Sequence, residues 1–223
     1  MTFALDHLVL AARTLEDGVA WCETTLGLRP EAGGQHLLMG THNRVFGIGS
    51  ANFPRSYFEI ITIDPSLHAP KQARWFGLDD TALQRALADG PQLVAWVARC
   101  DDIAATHAAM RAAGIDCGTV EPAERATPRG LLRWRISLRA DGRRLLGGAA
   151  PALIEWGDVH PTDSMPPSGV DLKAMRLGGW PEALVPILPA PIEPDASAAA
   201  PPISIVLSSP RGLVTLRSHP TED

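Results

Sequence analysis

The sequence predicts an α+β fold: two βαβββ units in tandem that form a cup-shaped mixed sheet, followed by a C-terminal βαββ extension. Three observations carry this expectation. A strand–helix–glycine pattern at 5–27 recurs at 93–114, each helix has a single apolar stripe, and each unit closes on a strand that carries a glutamate, Glu59 or Glu155. With 223 residues, 45% hydrophobic and 20% charged, the chain holds enough apolar material for a sizeable core.

The elements follow in order. LDHLVLAA at 5–12 is a β-former run. Thr14 is a candidate N-cap with Asp17 three residues on, and Leu15, Val19, Cys22 and Leu26 share one helical face that stops at Gly27. Segments 37–39 and 44–48 read as strands around a turn, Gly40-Thr41-His42-Asn43, and YFEIITID at 57–64 closes the unit. The second unit repeats this. Its strand is 93–99, Asp101 is a cap candidate, and Ile103, His107 and Met110 mark a helix face that ends at Gly114. Strands 115–120, 131–139 and 152–157 complete it, with a D-G turn at 140–143 and an insertion loop at 121–130. The expected division is a first unit at 1–64, a linker at 65–92 with a short amphipathic segment at 79–88, a second unit at 93–160, and an extension at 161–223 resembling an incomplete third unit. Within the extension, the Pro/Ala stretch 189–202 reads as a mobile linker.

Charge and cysteine usage narrow the function. Lys+Arg 20 against Asp+Glu 25 gives a net of −5, which disfavours nucleic acid or an anionic membrane as partner. Cys22, Cys100 and Cys117 are odd in number and lack a C-x-x-C, so they are expected in the core rather than in disulfides, zinc knuckles or nucleophilic roles. The N-terminus lacks signal-peptide character and no 18-residue apolar run occurs, so the expectation is a cytoplasmic protein. Gly33-Gly34 and Gly147-Gly148 are too short and wrongly placed for a phosphate loop.

The run 5–49 is similar to the glyoxalase-like domain family of the vicinal oxygen chelate superfamily. Asp6-His7, Leu26-Gly27, Gly34, His36, Gly40-Thr41-His42-Asn43, Tyr57-Phe58-Glu59 and Arg74-Trp75-Phe76-Gly77-Leu78 carry the resemblance, which spans roughly residues 4–160 and extends into the C-terminal fragment. That superfamily includes glyoxalase I, extradiol dioxygenases, methylmalonyl-CoA epimerase and bleomycin-resistance proteins. The resemblance implies that first- and last-strand side chains of both units meet in one pocket, often around a divalent metal. Here those positions are His7, Glu59, Ala95 and Glu155. Ala95 departs from the pattern, because alanine cannot bind a metal.

His7, Glu59 and Glu155 would therefore be the metal set for Zn, Mn, Ni, Co or Mg, with Glu59 or Glu155 moving a proton. Without metal, the same residues would be a His–Glu pair and an exposed carboxylate. His36, Thr41, His42 and Asn43 are candidate substrate-binding residues at the pocket rim, although Gly, Thr and Asn are also ordinary turn residues. Trp75-Phe76 is expected as a cap over the core rather than a pocket wall, and Trp96 and Trp156 should face away from the pocket if Ala95 and Glu155 face it. The leading function is a metal-dependent lyase or isomerase acting on a small carbonyl or hydroxy-acid compound. The alternative is a non-catalytic sequestering protein of the bleomycin-resistance type, and the third reading is a metal-dependent dioxygenase, disfavoured by Ala95. The expected partner is a small-molecule ligand, with a homodimer through the sheet edge of the extension.

Overall fold

In the computed structural model, which describes residues 3–127 and 130–219, the first unit comprises β1 (Phe3–Ala11), α1 (Leu15–Thr25), β2 (Glu31–His36), β3 (Thr41–Gly47) and β4 (Tyr57–Ile63). After α2 (Thr81–Ala86), the second unit comprises β5 (Gln92–Cys100), α3 (Ile103–Ala112), β6 (Thr119–Thr127), β7 (Gly130–Leu138) and β8 (Ala152–Trp156). The strand order β2-β3-β4-β1-β5-β8-β7-β6 runs symmetrically outward from the centre. There β1 and β5 pair antiparallel with Leu8 opposite Trp96, while β1 pairs parallel with β4 and β5 parallel with β8. The sheet curls until its edge strands β2 and β6 approach each other, so the cup is nearly closed.

Local chemistry sets the helices as the sequence implies. The Thr14 hydroxyl accepts the Asp17 N–H at 3.1 Å, and Gly27, at φ 76°, releases the chain from α1. Gly18 lies against the sheet, where a Cβ would come within 2.4 Å of Ile60 Cγ2. The cap of α3 is Asp102 rather than Asp101; its carboxylate accepts the Ala105 N–H at 3.0 Å.

Strand alternation sorts the core into two layers. Leu8, Leu10, Phe58, Ile60, Trp96 and Ala98 face outward, against the buried sides of α1 and α3. Val9, Ala11, Ile61, Ala95, Val97, Trp134, Ile136 and Ile154 face the interior of the cup, where Trp75 and Phe76 also pack.

The extension contributes β9 (Asp171–Gly178), β10 (Glu193–Asp195), β11 (Ile203–Ser209) and β12 (Gly212–Arg217), in sheet order β10-β9-β11-β12. Leu172, Met175, Leu177, Ile203, Ile205 and Leu207 join the outward core layer, and the Leu172 N–H donates to Ile48 O at 2.9 Å. The stretch 189–202 is not a free linker, since it supplies β10, parallel to β9, and buries Ile192. β9 pairs antiparallel with β11, unlike the parallel first-to-last pairing inside each unit.

Two further expectations are corrected. The first hairpin turns at 37–40, so Thr41, His42 and Asn43 lie in β3. Gly40 takes φ +59°, which glycine adopts without strain, and Met39 N–H closes the turn onto His36 O. The proposed insertion loop is mostly strand: β6 runs through Pro122, which an edge strand tolerates. The extra residues of the second unit go instead into a longer β6–β7 hairpin and the connection 139–151. Residues 128 and 129 lie outside the described residues. Among the described residues no helix is long and apolar enough to cross a membrane.

Candidate functional site

A bulge in β1 builds the first part of the site. Leu5 pairs with Ala98 and His7 with Val97, so Asp6 is an extra residue in the ladder. In a regular strand Asp6 and His7 would point to opposite faces; here Asp6 Oδ1 lies 2.7 Å from His7 Nδ1. Asp6 Oδ2 accepts the Trp156 indole N–H at 3.0 Å and stands 2.9 Å from His160 Nε2. Asp6 is fully buried. Burial alone would raise its carboxyl pKa, but the hydrogen bonds from His160 and His7 outweigh it and hold the group well below the usual carboxylate range. The Asp6 contact assigns a proton to His7 Nδ1 and leaves Nε2 directed into the cup. The Tyr57 ring stacks on the imidazole at 4.5 Å.

Glu59, on β4, supplies the second part. Its Oε2 is 3.7 Å from His7 Nε2, and its Oε1 accepts Asn43 Nδ2–H at 2.6 Å. Asn43 is fixed in turn by the Gly34 N–H, which donates to its Oδ1 at 2.8 Å. The β2–β3 ladder is irregular between Ala32 and Gln35, and a Cβ on Gly33 would fall 1.9 Å from Asn43 Oδ1. The glycine pair thus admits the amide that holds Glu59. His36 Nδ1 lies 3.1 Å from Thr41 Oγ1, while its Nε2 faces Asn43 Nδ2 and Arg125 Nη1, each at 3.4 Å. Burial, opposed by Glu59 and reinforced by Arg125, pushes the His36 pKa down to about 4, so the ring is neutral at neutral pH.

These groups line one cavity that opens to solvent. His7, Glu59, His36, Asn43 and Arg125 form the polar side; Trp75, Phe76, Trp134, Ile136, Ile154 and Trp156 form the apolar wall. Trp75 and Phe76 are buried in the core and also line this wall.

The structure brings together His7, Glu59, His36, Thr41 and Asn43, and sets Glu155 and His42 apart. Glu155 lies on the outward face of β8, directly opposite Arg135, whose Nη2 donates to it at 2.5 Å. Its other oxygen accepts the Ile103 N–H at 2.7 Å, at the start of α3. Trp156, its neighbour, consequently faces the cavity, whereas Trp96 packs outward as expected. His42 alternates away from Thr41 and Asn43, and its Nδ1 lies 3.3 Å from Asp64.

Register explains the displacement of Glu155. Val9 pairs with Glu59 in the first unit, and its counterpart Val97 pairs with Ala152 in the second. Ala152, not Glu155, is therefore the counterpart of Glu59. The β5 strand carries a matching slip that leaves Val94 extra between Leu93 and Ala95. Asp6, His7 and Glu59 thus correspond to Val94, Ala95 and Ala152, so at these three positions the first unit is polar and the second apolar. The implied metal set of His7, Glu59 and Glu155 does not fit an ion, because its members lie on opposite faces of the sheet. Among the described residues no group of three or more His, Cys, Asp or Glu is placed to hold one.

The sequence pattern marks no role for Arg125, His160 or Trp134, and it directs Trp156 away from the cavity that it lines. Asp6 is legible only as part of the Asp6-His7 dipeptide. Arg125 comes from a strand that reads as a loop. All three cysteines are buried and free, and burial pushes the Cys22 and Cys117 thiols up to about 12 and Cys100 up to about 11, in keeping with a core role.

A curled sheet of paired βαβββ units around one polar cavity defines a protein of the vicinal oxygen chelate superfamily. The chain belongs to the glyoxalase-like domain family, whose profile matches residues 5–189. A hypothetical protein from Staphylococcus aureus shares the fold at TM-score 0.53 and 12% identity, covering 97% of this chain and 86% of that one. A single-residue variant of methylmalonyl-CoA epimerase from Streptomyces coelicolor, in complex with 2-nitronate-propionyl-CoA, matches at TM-score 0.43 and 18% identity, over 71% of this chain and 99% of that one. The Mycobacterium tuberculosis epimerase matches at TM-score 0.38 and 15% identity, over 69% and 86%. No curated protein matches the chain.

Proposed function

We propose that the chain is an isomerase or lyase of the glyoxalase type that moves a proton at the carbon next to a carbonyl of a small molecule. The observation that supports this reading is the 3.7 Å separation of His7 Nε2 and Glu59 Oε2, each fixed from behind, by Asp6 and by Asn43. One of the two groups removes the proton, the C–H electron pair shifts toward the carbonyl oxygen, and the proton returns at a neighbouring atom. Standing this close, both groups serve one side of the ligand. That suits transfer between adjacent atoms better than inversion at one carbon, which needs bases on opposite sides.

The apolar wall of Trp75, Phe76, Trp134 and Trp156 favours a second reading, a protein that holds its ligand without reacting it. The test is exchange of carbon-bound hydrogen for deuterium in D2O, followed by proton NMR on 2-oxobutanoate and butanone. Exchange by the wild-type protein, lowered about 10²-fold or more in Glu59→Gln and His7→Gln, supports the enzyme. Saturable binding with no exchange by the wild-type protein supports the sequestering protein.

A further inference from the structure

Arg125 enters the cavity from the far unit. It lies on β6 opposite Leu132, a residue of the inward core layer, so its side chain turns into the cup. There it crosses the gap to the first unit and lies over Gly34, where a Cβ would come within 2.8 Å of its Cδ. Its contacts are weak for a guanidinium. Nη1 reaches His36 Nε2 at 3.4 Å and Asn43 Oδ1 at 3.5 Å, and Nε is buried with no hydrogen-bond partner. Among the described residues no carboxylate forms an ion pair with it. Arg74, Arg133, Arg135 and Arg139, by contrast, each have an aspartate or glutamate within 3.2 Å. The nearby Glu59 is held by Asn43 instead. A half-buried guanidinium that forms no ion pair and leaves its Nε unpartnered has donors to spare for an anion.

We infer that Arg125 anchors a carboxylate on the ligand, so that the cavity takes a small organic acid with an apolar body. The planar fork of an arginine matches a carboxylate in two parallel hydrogen bonds. A single uncompensated cation beside the Glu59 carboxylate matches a monoanion rather than a phosphate. The aromatic wall receives the body of the acid, and the C–H carbon next to the ligand's carbonyl then lies between Arg125 and the His7–Glu59 pair, which line the same cavity. The inference deepens the proposed function and rests on it for the place of the reacting carbon, but its test reads binding alone.

The probes are phenylacetate and its uncharged isostere phenylacetamide, titrated into the whole protein and followed by tryptophan fluorescence, since Trp75, Trp134 and Trp156 line the cavity. Wild-type protein should bind phenylacetate about tenfold or more tightly than the amide. Arg125→Met should abolish the preference, and Arg125→Lys should keep part of it. Equal binding of acid and amide by wild-type protein overturns the inference, and that comparison needs no variant. Absence of saturable phenylacetate binding, an unchanged preference in Arg125→Met, or inorganic phosphate binding as tightly as phenylacetate overturns it as well. Deuterium exchange bears separately on the proposed function: acid-selective binding without exchange leaves the anchor standing and removes the chemistry, whereas exchange of butanone with no acid preference does the reverse.

Discussion

Acidification from pH 8 to pH 5 should destabilise the protein through His36. The ring is nearly buried, and its pKa falls from 6.5 in the unfolded chain to about 4 in the folded state, because burial and Arg125 disfavour its charged form. The folded pKa is depressed, so the unfolded chain binds more protons between these values. The stabilisation is complete above about pH 6.5 and is lost as pH falls toward about 4. At pH 5 the unfolded chain holds this proton almost fully and the folded state scarcely at all. The two values then give a loss of about 2 kcal/mol relative to pH 8 from this one group. Urea unfolding of wild-type protein and His36→Asn at pH 5, 6, 7 and 8 isolates it from other titrating groups. The stability gap between the two should shift by about 2 kcal/mol in favour of the variant at pH 5. Parallel stability curves would refute the assignment of a buried, neutral His36. So would ring NMR shifts showing His36 protonated at pH 6.

Other perturbations separate the site from its scaffold. Glu155→Gln should lower stability by about 1 to 2 kcal/mol, read by thermal melting, because it weakens hydrogen bonds from Arg135 and the start of α3; phenylacetate binding should stay unchanged. Asp6→Asn should reduce deuterium exchange about 10²-fold or more while the far-ultraviolet circular dichroism persists, since it releases the His7 tautomer; exchange equal to wild type would remove Asp6 from the machinery. The wild-type protein should lose further stability as pH drops below about 4, where the unfolded chain protonates the carboxylate that folding keeps ionised. Asp6→Asn should lack that increment. Deleting 161–223 should expose the outward core that Leu172, Leu177, Ile203 and Ile205 cover, and the truncated chain should melt earlier or aggregate.

The legible part of the fold was its periodicity. Alternating apolar residues in the strands, the Thr14 cap and the glycines that stop both helices are local properties, and local chemistry fixes them wherever the chain goes. The Pro-containing segment around Pro122 read as a loop because proline removes a ladder donor, yet an edge strand has no second partner to miss it. The turn at 40–43 shifted because the φ of Gly40 and the bond from Gly34 to Asn43, rather than turn propensity, set the hairpin register.

The candidate site divides along the same line. Local pattern alone marks the tandem units, the outward stripe of each helix, and His7 and Glu59 as polar candidates on a first and a last strand. Which residues meet these two is set by long-range strand pairing. A displacement of three positions between Glu155 and Ala152 is odd, and side chains alternate along a strand, so it carries Glu155 to the far side of the sheet and leaves alanine facing the cup. The bulge at Asp6 works in the opposite direction, bringing two sequence neighbours to one face. Arg125 reaches the site only because the sheet curls until β6 approaches β2. Register, bulges and curvature arise from pairing between distant strands, and no window of the sequence contains both partners.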